Sequence, residues 1–159
     1  MKNPEREKKF MAKAIGLSIE NVQAGGGPFG AVIVKDDEII ATGVNRVTAH
    51  NDPTAHAEIN AIRQASEKLG TFDLSGCEIY SSCEPCPMCL GAIYWAHLDK
   101  LYYGNTKEDA RKIGFDDEFI YRELELPLAK RTLPSQELMH EEALRGFRAW
   151  DENENKITY

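Results

Sequence analysis

His56 and Glu58 stand two positions apart, and Cys86 and Cys89 stand three apart directly after Pro85. One imidazole and two thiolates are good zinc ligands, and a catalytic zinc typically takes three protein ligands and keeps a fourth position for water. Glu58 is then not needed as a ligand. Beside such a water its carboxylate can take a proton and pass it on, which is general acid–base chemistry. The spacings place these side chains at helix starts. Residues two apart in a helix point to nearly opposite sides, so His56 and Glu58 cannot share a metal site along a helix flank. At a first turn, both can reach a point just beyond the helix end. Cys86 and Cys89 share one face, so both sulfurs can meet one ion. The partial positive charge of a helix N-terminus favours thiolate over thiol. Two such ends meeting at one ion would form an electropositive cup.

Other readings of the cysteines are weaker. All four lie between positions 77 and 89, a crowding that in a reducing compartment points to metal rather than to a disulfide framework. The run Cys83, Cys86, Cys89 resembles the start of an iron–sulfur pattern, but the further cysteine expected after Cys89 is missing. A structural zinc on all four thiols would leave His56 and Glu58 without a role. Cys77 and Cys83 are therefore assigned to the core or to packing around the metal site.

The elements that must carry these residues follow from apolar spacing and turn residues. A first helix is expected from Pro4, with Glu5 and Glu7 in its first turn and Phe10, Ala14, Leu17 and Val22 at helical spacing, stopped by Gly25-Gly26-Gly27-Pro28. Ala31–Val34 and Ile39–Thr42, joined by a polar turn, read as an antiparallel hairpin. A second helix is expected from near Thr54 to Gly70, a third strand at Cys77–Ser81, a third helix from near Pro85 through Leu90, Ile93 and Trp95, and a fourth strand at Lys100–Tyr103. Strands alternating with helices predict an α/β fold, three layers in the order α/β/α around a central mixed, partly parallel sheet. From Thr106 onward the pattern is helical pieces broken by Gly114, Pro127 and Pro134. The reading is one domain over residues 1–159, with 127–159 as a C-terminal extension.

Hydrophobic residues make up 42% and charged residues 28% of the 159, a soluble balance. The charged opening stretch and the lack of a long apolar run predict a cytoplasmic chain with no membrane partner. A net charge of −7 disfavours nucleic acid, whose phosphates need a basic surface.

The signature His-x-Glu with Pro-Cys-x-x-Cys is that of zinc-dependent nucleobase deaminases, and the match runs further. Gly27–Val34, Asn51–Glu58, Ser82–Ala96 and Gly114-Phe115-Asp116-Asp117 together resemble the guanine deaminases of the cytidine-deaminase fold, over nearly the full length. The first three segments also occur, with variation, in tRNA adenosine deaminases; the Gly-Phe-Asp-Asp segment is the discriminating one. The resemblance implies one zinc per chain on His56, Cys86 and Cys89, with Glu58 and Asp117 as catalytic groups. It implies a base-binding set of Phe29, Asn45, Ala57, Trp95, Phe115, Asp117 and Tyr159. Phe29 would lie on the purine, Asn45 would bond its imidazole side, Trp95 would wall the pocket, and Asp117 would accept from guanine N–H groups. Each has a plain structural alternative: Phe29 as a strand anchor, Asn45 as a turn residue, Trp95 as core, Asp116-Asp117 as a helix cap.

The resemblance also implies a homodimer that exchanges C-terminal segments. Leu138, Leu144, Phe147 and Trp150 offer an apolar set, and a polar hexamer precedes Ile157-Thr158-Tyr159. The expected activity is hydrolysis of guanine to xanthine and ammonia. Rivals are a guanosine or other aminated-heterocycle deaminase, a tRNA adenosine deaminase, and a zinc-stabilised binding module without catalysis.

Overall fold

The computed structural model describes residues 3–159. Helix α1 (Pro4–Gln23) begins as its sequence requires: the Asn3 side chain accepts the Arg6 N–H, and Pro4 sits where no N–H partner is available anyway. Phe10 and Ala14 are buried, but Val22 is 51% exposed and Asn21 turns inward instead. The spacing 10, 14, 17 continues to 21 rather than 22, so the inward position falls on a polar residue.

Strands β1 (Gly30–Lys35) and β2 (Glu38–Val44) form the expected antiparallel hairpin. Asp36 and Asp37 turn it with φ of 49° and 65°, the positive values that match the strands' twist. A single helical turn, α2 (Val47–His50), follows, too short to leave a periodic signal. Helix α3 (Ala57–Leu69) ends on Gly70 at φ 66°. It starts later than Thr54 because Asp52 accepts both the Thr54 N–H and its hydroxyl, holding Pro53 and Thr54 in a turn. Strand β3 (Cys77–Cys83), helix α4 (Pro87–Trp95) and strand β4 (Lys100–Asn105) complete a β-α-β unit.

The four strands lie in the order β2-β1-β3-β4, antiparallel except for the parallel β3–β4 pair. Alternate residues face opposite sides. Ala31, Ile33, Cys77 and Ile79 pack on Ala57, Ala61 and Ala65 of α3, on Ile93 of α4 and on Ala96 at its end. Val32, Val34 and Tyr80 pack on Phe10 and Ala14 of α1. The result is the three-layer α/β/α arrangement around a mixed sheet.

Helix α5 (Lys107–Lys112) opens with a reciprocal cap between Thr106 and Asp109. After Gly114, at φ 98°, comes α6 (Asp117–Glu125). The chain divides into two compact units, one ending at Tyr121 and one from Arg122 to Tyr159. In the second, the Arg131 guanidinium donates to the carbonyls of Glu123 and Leu126, taking up the free end of the preceding helix. Its helix α7 (His140–Glu152) carries Leu144, Phe147 and Trp150 on one stripe yet buries none of its residues. No helix among the described residues is long and apolar enough to cross a membrane.

The small faces of α3 let its backbone rest on β2. A Cβ added at Gly43 would lie 2.0 Å from the Ala57 carbonyl oxygen and 2.6 Å from the Ala61 nitrogen. Gly43→Ala is therefore expected to cost about 1–3 kcal/mol, read as a lowered urea midpoint with unchanged slope.

Candidate active site

His56 is the residue just ahead of α3, with an extended backbone, and Cys86 holds the same position ahead of α4. The loop before His56 is pinned to the sheet: Ala55 O accepts from Arg46 N–H, and the Asn60 amide bridges Val44 O and Ala55 O. Cys86 Sγ accepts the Cys89 N–H, so a ligand sulfur also caps the helix. The ligand atoms of His56, Cys86 and Cys89 lie within 4.8 Å of one another. A tetrahedral zinc with bonds of about 2.3 Å to sulfur and 2.05 Å to nitrogen has an S···N edge of about 3.6 Å. His56 Nδ1 lies 3.5 Å from each sulfur, so the donor set fits zinc in both chemistry and spacing.

The charges agree with this. The hydrogen bond from Cys89, aided by His56, holds the Cys86 thiol down to about 4. Cys89, buried beside that thiolate, is pushed up. His56 is raised by its bond to Cys86. Two thiols that share one proton in this way gain most from a divalent cation, which stabilises both as thiolates. Glu58, in the first turn of α3, is buried, and burial raises its proton affinity against the opposing hydrogen bond from Ser81 Oγ at 2.8 Å. Ser81 can reach it because it shares the sheet face of Ile79, one pleat further along β3.

A cavity of about 510 Å³ opens over these groups, lined by His56, Glu58 and Cys86 together with Phe29, Asn45, Phe115 and Asp117. The Phe115 ring meets Phe29 edge-on, centroids 4.9 Å apart at 86°. Asn45 Oδ1 accepts the Val47 N–H at 3.2 Å. At α6, Asp116 takes the capping role by accepting the Phe119 N–H. Asp117 is left with a buried Oδ1 that has no hydrogen-bond partner among the described residues, and burial raises its proton affinity.

The structure does not gather every expected residue. Ala57 is fully buried under β2 at the start of α3, between two lining residues but not itself at the cavity surface. Trp95 lies outside the lining and is 65% exposed, so it is not core. Helix α4 is apolar nearly all round, and its periodicity could not say that Ile93 turns in while Tyr94 and Trp95 turn out. Tyr159 belongs to the second unit and is exposed there. Cys77 is core, whereas Cys83 lines the cavity, its thiol pushed up to about 12 by burial and donating weakly to the Thr106 carbonyl. Asn21 is the residue that sequence reasoning missed. Its amide donates to Gly27 O at 2.8 Å and Asn45 O at 2.9 Å, fastening the loop before Phe29 to the end of β2. Its signal was a polar side chain at an inward helical position.

Residues 4–105 match the model of the cytidine and deoxycytidylate deaminase zinc-binding region. The guanine deaminase of Bacillus subtilis (strain 168) is 53% identical over 151 residues, 94% of this chain and 97% of the relative. The X-ray structure of guanine deaminase from Bacillus subtilis superposes with a TM-score of 0.92 at 52% identity, covering 96% of this chain and 98% of that one. A guanine deaminase structure from Nitrosomonas europaea gives 0.65 at 39% identity over 68% of this chain and 63% of that one.

The ligand geometry yields a direct expectation for metal content. Cys83→Ala should retain about one zinc per chain, while Cys86→Ala should lose it, as read by elemental analysis of the purified variants. Equal zinc loss in both would move Cys83 into the ligand set.

Proposed function

The chain belongs to the cytidine and deoxycytidylate deaminase zinc-binding family, and from this we infer that it hydrolyses guanine to xanthine and ammonia. The observation that carries the substrate is Asp117: its side chain lines the cavity that holds the metal ligands and Glu58, and its Oδ1 is buried without a donor among the described residues. Guanine brings adjacent ring and exocyclic N–H donors, which a carboxylate accepts and an amide would read less well. A base lacking those donors would leave the buried acceptor unpaired and be rejected on that ground.

His56, Cys86 and Cys89 would hold a zinc ion, which would supply Lewis acidity and bring the pKa of a water molecule towards about 7. Glu58, braced by Ser81, takes the proton of the attacking water and delivers it to a ring nitrogen. The same carboxylate then carries the second proton to the departing amine, so that water and guanine leave as ammonia and xanthine. Phe29 and Phe115 wall the ring. Asn45, with its oxygen engaged by Val47, offers its amide N–H groups to acceptors on the imidazole side.

A zinc-stabilised binding module would leave Glu58 idle. Glu58→Gln should keep zinc and lower guanine turnover on the order of a thousandfold; unchanged turnover would favour the module. Asp117→Asn sets a donor against donors and should cost about a hundredfold in kcat/KM, about 3 kcal/mol, again with zinc retained. Near-wild-type turnover would reduce the Gly-Phe-Asp-Asp segment to a helix start.

A cytoplasmic setting suits unpaired ligand thiols. For the assembly, the reading is a homodimer with exchanged C-terminal segments. It is supported by the unburied stripe of α7, with Phe147 76% exposed, and by the outward Tyr94 and Trp95. In this reading, Tyr159 covers the base in the partner subunit and excludes water. Deleting residues 157–159 should lower turnover while leaving zinc and dimerisation intact. Mixing that chain with one carrying Cys86→Ala should restore part of the activity once the subunits exchange. A silent deletion rules out the cover; a harmful one with no restoration assigns the tail to its own subunit.

A further inference from the structure

Asp117 and Tyr121 stand four residues apart on α6 and so share a helix face. Tyr121 does not line the cavity and takes no part in the proton transfers described above. Its hydroxyl donates to the Pro85 carbonyl at 2.7 Å, the group immediately before the ligand Cys86. The short strap Glu84-Pro85 is also fixed from two other directions. Glu84 N–H donates to Asn105 O, and the Glu84 carboxylate accepts the Lys107 N–H at 2.8 Å. The Lys107 ammonium in turn lies 4.7 Å from the centre of the Tyr121 ring. Pro85 itself is fully buried, so the strap offers a fixed reference point.

Two further contacts bear on the start of α6: just ahead of it Phe115 meets Phe29 edge-on, and Glu118 pairs with Arg111 at 3.4 Å. Neither ends on the strap that leads into Cys86. An aromatic edge contact tolerates sliding, and a part-exposed ion pair holds position weakly. The Tyr121 bond joins the helix carrying Asp117 to that strap through a directional contact.

We propose that Tyr121 is a positioning residue, which registers the base-reading carboxylate of Asp117 against the Cys86 side of the metal site. This rests on the reading of Asp117 given above. Loss of the hydroxyl leaves the aromatic ring in place and frees α6 to shift relative to the strap. Displacement of a positioned group by about 1 Å can cost on the order of a hundredfold in rate, and a helix kept by its other ties should lose less. Burial pushes the Tyr121 phenol up to about 12, so it stays a donor throughout the neutral range.

The test is a double-mutant cycle in the intact, zinc-loaded protein, using Tyr121→Phe, Asp117→Asn and both together. Tyr121→Phe is expected to lower kcat/KM for guanine about tenfold, with zinc content and Tm close to wild type. In the Asp117→Asn background, the same change should cost less than about twofold, because the carboxylate that it registers is gone. A silent Tyr121→Phe overturns the proposal. A penalty carried unchanged into the Asp117→Asn background also does so, since the hydroxyl would then act through something else. Zinc loss in Tyr121→Phe overturns it too, making the bond a support of the metal loop. If Asp117→Asn alone turns over guanine at the wild-type rate, the reading of Asp117 fails, and this inference with it.

Discussion

The convergence of the first turns of α3 and α4 is the constraint from which the rest of the structure follows. A metal held by one imidazole and two thiolates needs three side chains from distant parts of the chain within a few ångströms, with the thiols willing to lose their protons. Placing His56 and Cys86 immediately ahead of two helices meets both needs at once. The positive ends of the helices favour thiolate, and the Cys89 N–H is spent on the Cys86 sulfur rather than left bare. The first turn of α3 then brings Glu58 to the same place, where burial alone would disfavour its charge and Ser81 offsets part of that cost.

The sheet keeps the two helix ends together. Residues of β1 and β3 alternate between α1 on one face and α3 with α4 on the other, so both ligand-bearing helices pack on a single surface. Alanines along α3 and Gly43 on β2 allow backbone-to-backbone approach, and the position of His56 is set with little slack. Around this centre the cavity-lining groups come from loops and element ends that are tied back to the rigid elements. Asn21 fastens the loop before Phe29 to Asn45, and Asp116 caps α6, which frees Asp117 to face the cavity.

The metal ligands and Glu58 were legible in the sequence because their spacing has a purely local meaning at a helix start. The hairpin and α1 were legible for the same reason: turn residues and apolar period carry them. What escaped was decided by packing. Helix α4 is apolar on all sides, so nothing in its sequence distinguishes inward Ile93 from outward Trp95. Val22 looked inward because it is apolar, yet the helical phase belonged to Asn21, whose amide does work that no apolar residue could. Cys83 is buried, as a packing residue should be, and it also lines the cavity because β3 runs on to the site before it ends. The Asp116-Asp117 pair is ambiguous in sequence between cap and reader; the structure makes Asp116 the cap and leaves Asp117 Oδ1 buried without a partner among the described residues.

The central claim is that a cup built from two helix starts, with a carboxylate beside it whose Oδ1 is buried and unpaired among the described residues, acts on guanine. Ammonia release by the zinc-loaded protein from guanine, guanosine, adenine, cytosine and an amino-triazine, compared as kcat/KM, addresses it most directly. The account predicts guanine as the fastest substrate, with adenine and cytosine strongly disfavoured because they lack the ring N–H beside the reacting amine that guanine would donate to Asp117. Faster turnover of guanosine or cytosine than of guanine would contradict it.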